Sequence, residues 1–77
     1  MNKPLYVHAD WDAEAAVWVA TSNDVPGLAT EAQTVEALIA KLETLIPDLL
    51  VANGAATVEG VAFELLARRF DQIRPAA

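Results

Sequence analysis

The sequence predicts an α+β domain, a small antiparallel meander of three strands closed by one long helix. Three observations carry this. Residues 5–22 hold two strand-like stretches either side of an acidic turn. Asn23-Asp24-Val25-Pro26-Gly27 then forms a corner before a third short stretch. From Val35 to Leu50 the apolar residues recur at three- and four-residue steps, the period of a helix with one buried face.

Residues 5–10 alternate. Leu5, Val7, Ala9 and then Trp11 fall on one side, Tyr6, His8 and Asp10 on the other, the pattern of a half-buried strand. Asp12-Ala13-Glu14-Ala15 reads as a turn, because an aspartate side chain can bond backbone groups two residues on. Residues 16–22 form the second strand. Val17 and Val19 occupy one face and Ala16, Trp18 and Ala20 the other, so the strand needs a central position in the sheet or a cover on its second face.

At the corner Pro26 fixes φ and Gly27 permits a positive one. Residues 28–31 are the third strand. Thr34 is a good N-cap, with Glu36 in the first turn where the helix dipole favours an anion. Val35, Leu38, Ile39, Leu42, Leu45, Ile46, Leu49 and Leu50 build the apolar stripe. Pro47 interrupts it, and because proline clashes with the carbonyl four residues back, a kinked or two-part helix is expected. Asn53-Gly54 is the stop and residues 55–60 a loop. Residues 61–73 read equally well as helix, from the composition of Glu64 to Arg69, or as strand, from the alternation of Val61, Phe63 and Leu65. The last four residues are a frayed tail.

Seventy-seven residues make a single domain, residues 1–77, with a marginal core. A hydrophobic fraction of 55%, much of it alanine, argues mildly for a dimer or a partner surface. The chain has no cysteine, so disulfides and thiolate metal sites are excluded and a cytoplasmic location is expected. The first ten residues contain no long apolar run, so no signal peptide is expected, and no segment approaches the length of about eighteen apolar residues that spans a bilayer. The net charge is −6 and uneven: residues 1–64 set ten acids against Lys3 and Lys41, whereas residues 65–77 set Asp71 against Arg68, Arg69 and Arg74. Such a body repels phosphate backbones, which argues against direct nucleic-acid binding, and attracts basic partners.

The stretch from Asp10 to Leu50 resembles the HicB-like antitoxin superfamily, most specifically in the string from Trp11 to Leu28. The residues that carry the resemblance are Asp12 and Glu14, Val17-Trp18-Val19-Ala20, Asp24-Val25-Pro26-Gly27-Leu28 and Thr34-Val35-Glu36-Ala37-Leu38, and it covers about forty-five of the seventy-seven residues. It is closest to a branch of short stand-alone proteins of unassigned function. The resemblance implies a partial ribonuclease-H-like β-β-β-α-β arrangement, with residues 61–70 as a fourth strand added to an edge of the meander. It also implies a domain that binds and neutralises a small basic ribonuclease toxin. Relatives with a full antitoxin role append a DNA-binding module, for which this single domain leaves no room.

Candidate chemistry is sparse. Asp10, Asp12 and Glu14 are the one dense acidic cluster, but two of them sit in a turn, where charge runs are usually solvated, and a two-metal nuclease would need further converging carboxylates. His8 is the only histidine and has no second His or Cys beside which to bind a metal. Ser22, Thr21 and Thr30 lie in no nucleophile motif, although a sheet could bring His8 near Ser22. The three glycines, at 27, 54 and 60, form no phosphate loop. The arginines are expected to pair with Glu64 or Asp71. The sequence therefore points to a non-enzymatic interaction domain with no cofactor and no metal. Its partner would be a small basic toxin met through Asp12, Glu14, Trp18 and Asp24, or a second copy of itself in a solitary homodimeric module.

Overall fold

A computed structural model describes residues 3–55 and 59–75. Its element order is β1 (Leu5–Asp12), β2 (Val17–Thr21), β3 (Ala29–Ala32), α1 (Val35–Ala52) and β4 (Phe63–Arg68). The four strands form one sheet in the order β3-β2-β1-β4. β1 pairs antiparallel with β2, β2 antiparallel with β3, and β4 parallel with β1. The expected meander is present, and the fourth strand joins it at an edge. β3 and β4 run the same way, so the helix is the crossover that a parallel connection requires.

The helix covers the face bearing Val7, Ala9 and Ala20. The core comprises these three with Val25, Leu28, Ala32, Leu38, Leu42 and Ile46. Every residue of the helical stripe is buried or half-buried. The helix lies mainly over β3 and β2, and Lys41 fastens it there by donating to the Glu31 carbonyl at 2.6 Å. Thr34 caps the first turn, its Oγ1 accepting from the Ala37 amide at 3.0 Å. At the far end Gly54, at φ +96°, donates to the Val51 carbonyl and Ala55 to that of Leu50, the paired bonds of a Schellman stop.

Several boundaries differ from those the sequence suggests, each for a local reason. β1 extends to Asp12 and β2 starts at Val17, because Ala16 takes φ 56° to turn the hairpin. The third strand begins at Ala29, since the Leu28 amide is used to close the corner onto the Val25 carbonyl. Residues 63–68 are strand and the helical alternative falls away, because the open side of β1 offers backbone partners from Leu5 to Asp10. The helix runs unbroken from Val35 to Ala52 through Pro47 and is not in two parts. Pro47 supplies no N–H to the Glu43 carbonyl, and both residues line a groove beside the helix, where that carbonyl does not need a core partner. Part of the expected 55–60 loop, residues 56–58, lies outside the described residues.

A left-handed alanine costs about 1–2 kcal/mol relative to a relaxed backbone, whereas glycine adopts the conformation freely and loses about 0.5–1 kcal/mol of unfolded-state entropy. Ala16→Gly is therefore expected to stabilise the protein slightly, by up to about 1 kcal/mol, seen as a higher urea midpoint at unchanged slope.

Candidate functional site

The second face of the sheet has no helix over it. Alternation sends Tyr6, His8 and Asp10 of β1 to this face, and the register sets their neighbours beside them. One row across the sheet runs Glu31, Val19, Asp10, Arg68, and the next runs Ala29, Thr21, His8, Leu66. Tyr6 and Leu66 are each 41% exposed, and Val17 and Val19 are half-buried. Asp10, Asp12, Glu31 and Glu64 stand among them, Asp10 and Asp12 on the central strand β1, with Arg68 on β4 beside Asp10. The result is a face on which apolar side chains stand among acids, with His8 and Asp10 on its central strand β1.

The sequence-derived contact residues do not converge on one spot. Asp12 and Glu14 are at the hairpin tip, where the Asp12 carboxylate accepts from the Glu14 and Ala15 amides at 3.0 and 3.1 Å. Trp18 is on the helix-side face, opposite Ala32 on β3 and Trp11 on β1. The two indole rings meet edge to face with centroids 5.4 Å apart, and Arg69 lies 4.4 Å over the Trp11 ring while its Nε donates to Asp71 at 2.7 Å. Asp24 sits at the opposite end of β1 and accepts the Tyr6 amide at 2.8 Å.

Much of the distinctive Ser22–Leu28 string is used up in holding the corner. The Ser22 hydroxyl donates to the Tyr6 carbonyl at 2.6 Å and accepts from the Asp24 and Val25 amides at 3.0 and 3.2 Å. Both backbone groups of Tyr6 are thus taken by corner side chains where the β1–β2 ladder ends. Gly27 has φ +87°, the Leu28 amide reaches the Val25 carbonyl at 3.1 Å, and Pro26 stands before the glycine, as in a type II turn. Asn53 Nδ2 donates to the Pro26 carbonyl at 3.1 Å and ties the end of the helix to the same corner.

His8 is paired across the ladder with Thr21, not Ser22, and is exposed. Among the described residues no group of three His, Asp or Glu side chains is placed to hold a metal ion. The described side chains of the open face are spread over four strands. Tyr6 was legible as part of it from the β1 alternation, but Leu66 was not, since its side depends on whether residues 61–73 are strand or helix. Ser22 carried no signal beyond its position before Asp24.

A domain of unknown function, DUF1902, matches residues 4–75. The chain belongs to the DUF1902 family. This DUF1902 chain is also similar to the crystal structure of the hypothetical protein TTHA1013 from the extremely thermophilic bacterium Thermus thermophilus. The two share 49% identity with a TM-score of 0.71, over 94% of this chain and 99% of that one. No curated protein matches it. Among the described residues of the DUF1902 fold, no helix is long and apolar enough to cross a membrane.

Proposed function

We propose that this DUF1902 chain is a non-enzymatic protein-interaction domain of HicB-like antitoxin type, whose open sheet face binds and covers a small basic ribonuclease toxin. The observation that carries the reading is the uncovered face itself: four strands wide, with Val19, Tyr6 and Leu66 set among Asp10, Glu31 and Glu64. Exposed apolar side chains interspersed with charged ones give a partner both contact area and orientation, and long-range attraction between an acidic body and a basic partner speeds encounter. The resemblance, most specific over residues 11–28, supplies the class of partner. Asp12 and Glu14 at the hairpin tip add to the acidic surface, whereas Trp18 and Asp24 support the fold behind it.

The test is the association rate with the basic protein recovered from the native host at low salt. The rate is expected to fall as salt rises, and Asp12→Lys with Glu14→Lys is expected to slow it about tenfold without unfolding the hairpin. A rate indifferent to salt and to both reversals would sink the proposal. A second reading, a solitary module that binds its own kind, is favoured by a separate observation on the β4 edge.

A further inference from the structure

β4 is an edge strand. One side pairs with β1 over six residues, and among the described residues no strand lies on the other side. Six large apolar residues stand out as exposed among the described residues, and four of them, Val61, Leu66, Phe70 and Ile73, belong to β4 or its flanks. Phe70 is 86% and Ile73 99% exposed. An open edge of this length with apolar flanks is a template for strand pairing.

The geometry points to a second copy of this chain as the occupant, paired antiparallel along β4 about a two-fold axis at Leu66. This is independent of the toxin reading. Three central residues of β4 allow a two-fold pairing that keeps each face of the sheet continuous: Leu65, Leu66 or Ala67, each opposite itself. Centring on Leu65 sets Glu64 against Leu66, and centring on Ala67 sets Arg68 against Leu66. Centring on Leu66 sets Glu64 against the partner's Arg68 twice and places the two Leu66 side chains together. Opposite charges directly across an antiparallel pair are favourable, so the charge pattern of β4 is complementary to itself in that register alone.

The same register provides for the tail. Continued past Arg68, the chain runs antiparallel to the partner's residues 63 to 61, with Arg69 across from the partner's Phe63 and Asp71 across from the partner's Val61. Val61 and Phe63 help line an apolar groove between the helix and β4, with Ile46, Pro47 and Leu50 on its helix side and Glu43 at its margin. Alternation keeps Ile73 on the groove side of the sheet, whereas Phe70 falls on the open face across from the partner's Ala62. Their segment carries Arg69 and Arg74, opposite in sign to Glu43. An eight-stranded sheet results, with the two helices flanking its central strands.

The test is sedimentation equilibrium of the full chain from micromolar to millimolar concentration. The wild type is expected as a dimer of twice 8.2 kDa. Glu64→Lys and Arg68→Glu each turn two attractive cross-strand pairs into repulsive ones and are expected to raise the dimer Kd about tenfold or more. An equimolar mixture of the two variants restores both opposite-charge pairs and is expected to dimerise as tightly as wild type. Arg68 also neighbours Asp10 on β1, so Leu66→Lys, which places two ammonium groups at the axis, is a second disrupting variant, expected to be monomeric with an unchanged circular dichroism spectrum. A monomeric wild type at every concentration overturns the inference. So does a dimer indifferent to Leu66→Lys, or a mixture that binds no better than either charge variant alone. Asp12→Lys with Glu14→Lys, at the far end of the hairpin, is expected to leave the dimer unchanged, so the two proposals fail separately.

Discussion

Leu38→Ala is expected to destabilise the protein by about 3–4 kcal/mol, the largest effect of any single substitution considered. Leu38 and Leu42 are the largest fully buried side chains, each 0% exposed. Their surroundings differ. Leu42 lines the groove between helix and β4, so truncating it extends a space already open to solvent. Leu38 does not line that groove, and its removal leaves a hole closed by neighbours that cannot collapse fully. Leu42→Ala is accordingly expected at the lower end, about 2 kcal/mol. A domain of 77 residues has a total stability of roughly 4–12 kcal/mol, so Leu38→Ala removes a large share of it. Urea unfolding checks this by the midpoint at constant slope, with Leu38→Ala below Leu42→Ala. Equal losses would mean that the groove does not relieve the Leu42 site.

Ser22→Ala is expected to cost about 2 kcal/mol, far more than an ordinary half-exposed serine. One hydroxyl serves three backbone groups: it donates to the Tyr6 carbonyl and accepts from the Asp24 and Val25 amides. Val25 is 0% exposed, so its amide lies at the margin of the core, where water replaces the lost partner poorly. Asp24→Ala removes the acceptor of the Tyr6 amide and is expected to cost about 1 kcal/mol. The double variant is expected to lose less than the two together, because both side chains hold the same Tyr6 junction. Hydrogen exchange at the Tyr6 and Val25 amides should accelerate in Ser22→Ala, and Thr21→Ala, on the exposed face, serves as a near-neutral control. A Ser22→Ala variant as stable as wild type would show the corner to be held by Pro26 and Gly27 alone.

The corner also shows why residue type was a poor guide to role. Asp24 reads as a surface acid available to a partner, yet it is engaged with a backbone amide eighteen residues away in sequence. Trp18 reads as a recognition residue because its strand is apolar on both faces, but its pairing with Trp11 and Ala32 assigns it to the helix side. Asp12 is used locally in the hairpin turn, as its spacing to Glu14 and Ala15 allows. The acids of the open face, Asp10, Glu31 and Glu64, come from three different strands and have no sequence spacing in common.

The amino-acid sequence by itself determined the elements whose signals are local. These are the alternation of β1, the Thr34 cap, the eight-residue stripe of α1, the Pro26-Gly27 corner and the Asn53-Gly54 stop, each set by side chains within a few residues of one another. It also determined the acidic character of the body. Only the tertiary structure decided that residues 63–68 are strand, because that choice rests on backbone partners in β1 more than fifty residues earlier. It likewise decided which sheet face the helix covers, and therefore which acids share the open one, because two faces of similar local pattern are distinguished only when the stripe of α1 packs against Val7, Ala9 and Ala20.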